Sequence, residues 1–141
     1  MYLITVEGGD GSGKGEAVRI LASLAKRYAF PNVHVTHEPR RHSELGKLAL
    51  KAVSKGDHTP LEEAGLFAAD RVDHSHTWVR PLLLKGDLVI SDRNIHSSLV
   101  YQGVVGKLGL EQVAKMNSAA MVPDLVISVS YTHLTLPTKR I

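Results

Sequence analysis

The segment VEGGDGSGKGEAV, Val6 to Val18, contains the G-x-x-x-x-G-K pattern of a phosphate-binding loop, from Gly8 to Lys14. Glycines in such a loop let consecutive backbone N–H groups point inward at phosphate oxygens, and the lysine reaches the terminal phosphates. The next position, where the pattern has Ser or Thr to hold Mg²⁺, is Gly15. A glycine-rich turn without a ligand is the alternative interpretation, so the flanking sequence matters.

That flanking sequence predicts a strand before the loop and a helix after it. Tyr2–Glu7 is a short β-branched run, and from Lys14 to about Tyr28 apolar residues recur at helical spacing. The same patterns predict further strands at Val33–His37, Leu88–Ser91 and Leu125–Val129, and helices at Ser43–Ser54, Pro60–Val79, Ser97–Gln102 and Leu110–Ala120. Alternating strands and helices predict an α/β fold with a mostly parallel sheet, which binds ligands beyond the carboxyl ends of its strands.

Two of these helices carry boundary signals. Ser43 can cap a helix that stops at Gly56. Thr59-Pro60-Leu61-Glu62 combines a capping box with a proline in the first turn, and Pro81 is expected to end that helix. In the helix that starts at Ser43, the apolar side chains expected to face inward are Leu45, Leu48, Ala49, Ala52 and Val53.

Composition excludes several classes of protein. The 141 residues include no cysteine, which fits one small domain without disulfide or thiolate chemistry. The net charge is +3, but the basic residues form no run or face, so we expect no nucleic-acid partner. No apolar stretch approaches the roughly 20 residues of a membrane span, so we expect a soluble cytoplasmic protein with no membrane partner. The eight histidines form no metal-binding pattern and are expected at the surface, including His74 and His76.

Three further segments carry polar side chains that could bind a ligand. Asp10, within the glycine loop, either bonds its own backbone or accepts a hydrogen bond from the hydroxyl of a second substrate. Arg40, after the second strand, offers a planar fork suited to phosphate, although a solvated loop arginine is the simpler interpretation. Phe67 and Arg71 share a helix face, where they could clamp a base. Alternatively, Phe67 packs in the core and Arg71 forms a surface ion pair.

The segment VISDRNIHSSLVYQG, from Val89 to Gly103, is more informative. Asp92 ends a buried strand, where a P-loop protein places a carboxylate toward Mg²⁺ or its water ligands. Arg93 follows it and could bridge donor and acceptor phosphates. The helix that comes next presents polar pairs at i and i+4, which favour a polar ligand: Ser97 with Tyr101, and Ser98 with Gln102.

Four ordered motifs, EGGDGSGKG, THEPR, LFAADR and DRNIHSSLVYQG, make the sequence resemble the thymidylate kinases of the P-loop nucleoside-monophosphate kinase superfamily. The resemblance covers about Met1 to Ile127. It implies a three-layer P-loop fold and transfer of the γ-phosphoryl group of ATP to dTMP, giving dTDP and ADP for dTTP synthesis. It also implies Mg²⁺ as cofactor and a homodimer.

The resemblance implies a role for each motif residue. Lys14, Asp92 and Arg93 would be catalytic, with Asp92 holding Mg²⁺ through water. The ATP phosphates would lie in the loop formed by Gly8, Gly9, Asp10, Gly11, Ser12, Gly13, Lys14 and Gly15. The residues implied to bind dTMP are Asp10, Arg40, Phe67, Arg71, Arg93, Ser97, Ser98, Tyr101 and Gln102. Among them, Asp10 would bind the 3′-hydroxyl, Phe67 would stack on thymine, and Tyr101 would disfavour a 2′-hydroxyl. Ser97 and Ser98 would lie near the edge of the base.

Some positions depart from the family pattern. Gly15 lacks the hydroxyl that binds Mg²⁺, and Arg40 stands where the family usually has glycine. Gly11 replaces an arginine of some members, which implies dependence on a later basic lid. After residues 1–128, the expected kinase domain, the segment 129–141 shows no amphipathic pattern and matches a translated sequencing adaptor. We therefore expect a non-native tail, a fold without its last strand, lid and closing helix, and impaired activity.

Other functions stay open at the level of sequence. The protein could be a different nucleoside or nucleotide kinase, or a non-catalytic fragment that binds nucleotide weakly. A nucleotide-dependent switch is disfavoured because the chain has no N-K-x-D guanine motif and no D-x-x-G after a strand.

Overall fold

The computed structural model describes residues 2–130, which build a four-stranded parallel sheet in the order β2-β3-β1-β4. The strands are β1 (Tyr2–Glu7), β2 (Val33–His37), β3 (Leu88–Asp92) and β4 (Leu125–Ser128). In the register of the sheet, Asp92 lies beside both Val6 and His37. The loops that follow β1, β2 and β3 therefore meet at one edge, as the α/β prediction requires.

The helices connect these strands and continue in two places as wider π-helical turns. They are α1 (Lys14–Tyr28), α2 (Glu44–Lys55), α3 (Pro60–His74), α4 (Arg80–Leu84), α5 (Ile95–Ser98) and α6 (Leu110–Met116). A π-helical segment, Ser75–Val79, joins α3 to α4, and a second, Leu99–Val105, extends α5.

Helices cover both faces of the sheet, which gives three layers. Leu88 and Ile90 of β3 pack with Val18 of α1 on one face. Val89 points to the other face, because side chains alternate along a strand, and packs with Leu83 of α4. The sequence prediction of an α/β fold is confirmed. Within residues 2–130, no helix is long and apolar enough to cross a membrane.

The predicted caps form. The Ser43 hydroxyl accepts a hydrogen bond from the Gly46 N–H at 2.9 Å, and Gly56 ends α2 with a φ of 67°. At the start of α3, Thr59 and Glu62 make both bonds of a capping box. Because the hydrogen bond from the Thr59 backbone N–H favours the ionised carboxylate, it lowers the pKa of Glu62.

Several predicted boundaries and burials were wrong. The chain stays helical past Pro81, because the π-helical turn places that proline at the start of α4, where no backbone N–H is needed. The last helix stops at Met116 rather than Ala120. Leu48 and Val53 of α2 are each half exposed rather than inward-facing, and Val53 lines an open cavity.

Candidate functional site

The glycine loop between β1 and α1 has the backbone that its sequence predicts. Gly11 and Gly13 have φ values of 77° and 92°, in the left-handed region that favours glycine. Directly after the loop, Lys14 Nζ lies 2.6 Å from Asp92 Oδ1 at the end of β3. The loop lysine and the predicted carboxylate are therefore in contact.

Gly15 is not required by packing. A Cβ atom added there would meet nothing within 4 Å, so the site has room for the hydroxyl side chain that the pattern normally carries. Asp92 is the carboxylate predicted to interact with Mg²⁺. Within residues 2–130, no group of three or more His, Cys, Asp or Glu side chains could hold a metal. Mg²⁺ is usually held by one or two carboxylates together with substrate phosphates and water, so Asp92 fits a nucleotide-bound ion.

A cavity of about 510 Å³, here called the acceptor cavity, opens next to the glycine loop. The structure brings together eight of the nine residues predicted to bind dTMP in its walls: Asp10, Phe67, Arg71, Arg93, Ser97, Ser98, Tyr101 and Gln102. Apolar wall is added by Leu50 and Val53 of α2. A mostly apolar pocket with a few convergent polar groups is typical of a small-molecule site.

Arg71 lines this cavity and is 2% exposed. Its Nε donates to Glu38 Oε1 at 2.8 Å, and its Nη1 donates to Ser98 Oγ at 3.0 Å and to Asn117 Oδ1 at 2.7 Å. Among residues 2–130, no hydrogen bond is made by Nη2, which leaves that end of the guanidinium for a ligand. The alternative of a surface ion pair does not describe this arginine.

Gln102 supplies a second unused polar group in the cavity wall. The residue is 6% exposed, and its buried Oε1 has no hydrogen-bond partner within the described part of the chain. A buried carbonyl without a partner costs free energy, so a ligand N–H donor would stabilise it. Phe67 lines the same cavity one helical turn before Arg71.

Arg93 also lines the cavity and reaches the glycine loop. Its Nη2 donates to Asp10 Oδ1 at 3.2 Å, and its guanidinium carbon lies 5.6 Å from the centre of the Tyr101 ring. Nη1 donates to Ser97 Oγ at 3.1 Å, while that hydroxyl donates to Glu7 Oε1 at 2.7 Å. Because protein groups already occupy the Ser97 hydroxyl, it is less available to a base than its sequence position indicates.

Arg40 is the one predicted dTMP residue that does not line the acceptor cavity. Its Nε donates to Asp70 Oδ1 and its Nη2 to Asp73 Oδ2, both at 2.8 Å. Burial alone would lower the pKa of Arg40, but the hydrogen bonds to Asp73 and Asp70 outweigh it and raise that pKa. Asp70 is fully buried and needs a cationic partner, and Arg40 supplies it. Arg40 lines a different cavity, of about 620 Å³.

Sequence reasoning missed four buried polar residues around the site: Glu7, Glu38, His74 and Asn117. His74 is 1% exposed, which corrects the expectation of a surface histidine. Its Nδ1 donates to Glu38 Oε2 at 2.9 Å, and its Nε2 lies 2.9 Å from Thr36 Oγ1. A signal was available, because His74 follows Arg71 by three residues and therefore shares its helix face.

The sheet order, the glycine loop after β1 and the lysine–aspartate contact define a P-loop nucleotide-binding protein of the kinase class. A family model described as thymidylate kinase matches residues 6–136, and the chain belongs to that family of nucleoside-monophosphate kinases.

Several relatives resemble the chain over most of its length. It is 40% identical to a probable thymidylate kinase of Thermococcus onnurineus (strain NA1), over 97% of this chain and 67% of that protein. It is 41% identical to a probable thymidylate kinase of Pyrobaculum calidifontis, over 88% of this chain and 61% of that protein. The crystal structure of thymidylate kinase from Ehrlichia chaffeensis superposes with a TM-score of 0.79 at 30% identity, over 92% of this chain and 72% of that one. The chain thus spans about two thirds of the length of these curated relatives, 61% in the shorter case.

Proposed function

We propose that the protein transfers the γ-phosphoryl group of ATP to dTMP. The observation that carries this proposal is the acceptor cavity, which opens beside the glycine loop and holds two unused polar groups, Arg71 Nη2 and Gln102 Oε1.

The two unused groups fit the edge of thymine. Gln102 Oε1 accepts the N3–H of the base, and Arg71 Nη2 donates to the carbonyl oxygen at C4. Cytosine presents an acceptor at N3 and an amino group at C4, so both contacts would be lost. Phe67 offers an aromatic face against which the ring stacks. Asp10 accepts from the 3′-hydroxyl, and Tyr101 disfavours a 2′-hydroxyl on the sugar.

The loop residues position the phosphates and neutralise their charge, because the protein forms no covalent bond to the transferred phosphoryl group. Lys14 exchanges its contact with Asp92 for phosphate oxygens of ATP. Arg93, which already reaches Asp10, neutralises charge between the donor and acceptor phosphates. Backbone N–H groups of Gly8 to Gly15 cradle the ATP phosphates. Asp92 would hold Mg²⁺ through water, and when bound the ion neutralises phosphate charge.

We also propose that the enzyme works in the cytoplasm, where its nucleotide substrates occur, and as a homodimer, as the family resemblance implies. Neither feature is needed for the chemistry above. Size-exclusion chromatography with light scattering tests the dimer: twice the mass of the 15.3 kDa chain supports it, and the mass of one chain excludes it.

The test of the activity is a coupled assay of ADP release with ATP and one of four acceptors: dTMP, dUMP, AMP or thymidine. We expect dTMP to be the best acceptor and Lys14→Met to abolish turnover. Arg19→Met, on the exposed side of α1, is the matched control and should keep full activity. Faster turnover of AMP or thymidine would contradict the proposal. We expect slow turnover by this chain, below roughly 1 s⁻¹, which is the lower end of the usual kcat range of kinases.

A further inference from the structure

Arg93 adopts a backbone conformation that an arginine rarely takes. Its φ is 75°, in the left-handed region where a Cβ atom crowds the following carbonyl. Such a residue persists only where its surroundings hold it, and it is then often part of a working site. The conformation places the Arg93 guanidinium between Asp10 of the glycine loop and the Tyr101 ring.

Hydrogen bonds hold this conformation at both ends of the residue. The Arg93 N–H donates to the Val6 carbonyl at 3.1 Å, and the Ser91 hydroxyl donates to the Arg93 carbonyl at 2.7 Å. The next N–H along the chain, that of Asn94, donates to Glu7 Oε2 at 2.9 Å. The backbone on the carboxyl side of Arg93 is therefore fixed by a carboxylate from the neighbouring strand.

The second oxygen of the same carboxylate controls the Arg93 side chain. Glu7 Oε1 accepts from the Ser97 hydroxyl at 2.7 Å, which orients that hydroxyl so that its lone pair accepts from Arg93 Nη1 at 3.1 Å. Glu7 is only 9% exposed, and within residues 2–130 it forms no direct salt bridge. Both of its oxygens are therefore committed to the segment that carries Arg93.

We propose that Glu7 is a positioning residue for phosphoryl transfer, which holds Arg93 in its left-handed conformation through Asn94 and aims its guanidinium through Ser97. In this role Ser97 serves the arginine and does not read the base, contrary to the role that its motif implies. The inference rests on the proposed function only in taking the Arg93 target to be a phosphate; the hold on the backbone stands without it.

The first test follows the backbone alone. Hydrogen exchange, read by mass spectrometry at peptide resolution, should show the amides of residues 93–97 exchanging at least tenfold faster in Glu7→Gln. The Gln side chain keeps one acceptor oxygen and turns the other into an NH₂ donor, so the Asn94 N–H and the Ser97 hydroxyl can no longer both donate to it. Glu111→Gln, at an exposed position of α6, is the matched control and should leave exchange unchanged. Unchanged exchange in Glu7→Gln would overturn the proposal, whatever the substrate is.

The second test separates aiming of Arg93 from contact with the base. Ser97→Ala keeps Glu7 and leaves the backbone bond to Asn94 in place, so it also guards against misfolding of the Glu7 variant. By calorimetry we expect Ser97→Ala to weaken dTMP binding about tenfold and leave thymidine binding unchanged, because only dTMP carries the phosphate. Ser97→Thr keeps the hydroxyl and should restore dTMP binding. Equal weakening for dTMP and thymidine would show that Ser97 reads the base and would overturn the proposal.

If neither ligand binds the wild-type chain, the proposed function fails and the assignment of a phosphate to Arg93 is overturned with it. The exchange experiment then still decides whether Glu7 holds the Arg93 backbone.

Discussion

Removal of the charge on Glu38 should destabilise the fold more than any single substitution of an exposed residue. Glu38 is 3% exposed and accepts from Arg71 Nε at 2.8 Å and from His74 Nδ1 at 2.9 Å. In Glu38→Gln, the buried Arg71 guanidinium loses its only carboxylate among the described residues. Breaking a buried pair in this way costs about 3–5 kcal/mol, which is a large part of the roughly 5–15 kcal/mol free energy of unfolding of a typical domain.

The assay for this prediction is urea unfolding of wild type, Glu38→Gln, Arg71→Met and the double variant, with Glu111→Gln as a control. Because the cost comes from an unpaired buried charge, Arg71→Met should recover part of the stability that Glu38→Gln loses, with a coupling of about 1 kcal/mol or more. Glu111→Gln, exposed on α6, should change the unfolding free energy by less than about 0.5 kcal/mol. A loss below about 1 kcal/mol in Glu38→Gln, or strictly additive effects, would show that the Glu38–Arg71 pair is not coupled in this way.

Three further predictions concern the loop, the capping box and the last segment of the chain. Position 15 has space for a side chain, so Gly15→Ser should bind ATP at a lower Mg²⁺ concentration than Gly15→Ala does. If both variants need the same Mg²⁺ concentration, the hydroxyl does not reach the ion. The folded-state pKa of Glu62 is depressed, so the stabilising effect of its carboxylate is present above pH 4.5 and is lost as the pH falls below that value. The difference in unfolding free energy between wild type and Glu62→Gln should therefore shrink at low pH, and a difference that stays constant would contradict this prediction. We also propose that residues 129–141 are not native, and an uninterrupted genomic reading frame through Ile141 would exclude it.

That last segment begins within the described residues and continues outside them. The Val129 N–H donates to the Glu7 carbonyl at 2.8 Å, which continues the pairing of β4 with β1. Any residue except proline would make this backbone bond, so it does not distinguish a native segment from a foreign one. Residues 131–141 lie outside the part of the chain that the structure describes. The family model extends to residue 136.

The fold could be predicted because its signals are local. The glycine loop, the caps at Ser43 and Thr59 and the apolar strand runs each depend on residues close in sequence. The prediction failed at Pro81, since a π-helical turn that accommodates the proline leaves no pattern in the surrounding residues.

The site was harder because its contacts join distant segments. Nothing near Arg40 in the sequence indicates that it neutralises Asp70, which lies thirty residues along the chain in α3. Glu7 likewise meets its partner Ser97 only through the pairing of β1 with β3. The motif residues around the acceptor cavity could be named because the family resemblance supplied them, whereas the buried groups that hold them required the structure.

The most direct test of the proposed acceptor site is a calorimetric comparison of dTMP with dCMP, on the wild-type chain and on Gln102→Leu. The two nucleotides share sugar and phosphate and differ at N3 and C4, the edge that meets Gln102 and Arg71, and in the C5 methyl group, whose contribution the Gln102→Leu variant leaves unchanged. We expect the wild type to bind dTMP at least about tenfold more tightly than dCMP, because a wrong base leaves buried polar groups unpaired. Gln102→Leu should reduce this preference, and the part that remains comes from Arg71 and the C5 methyl group. Equal binding of the two nucleotides by the wild type, or an undiminished preference in Gln102→Leu, would contradict the proposed acceptor site.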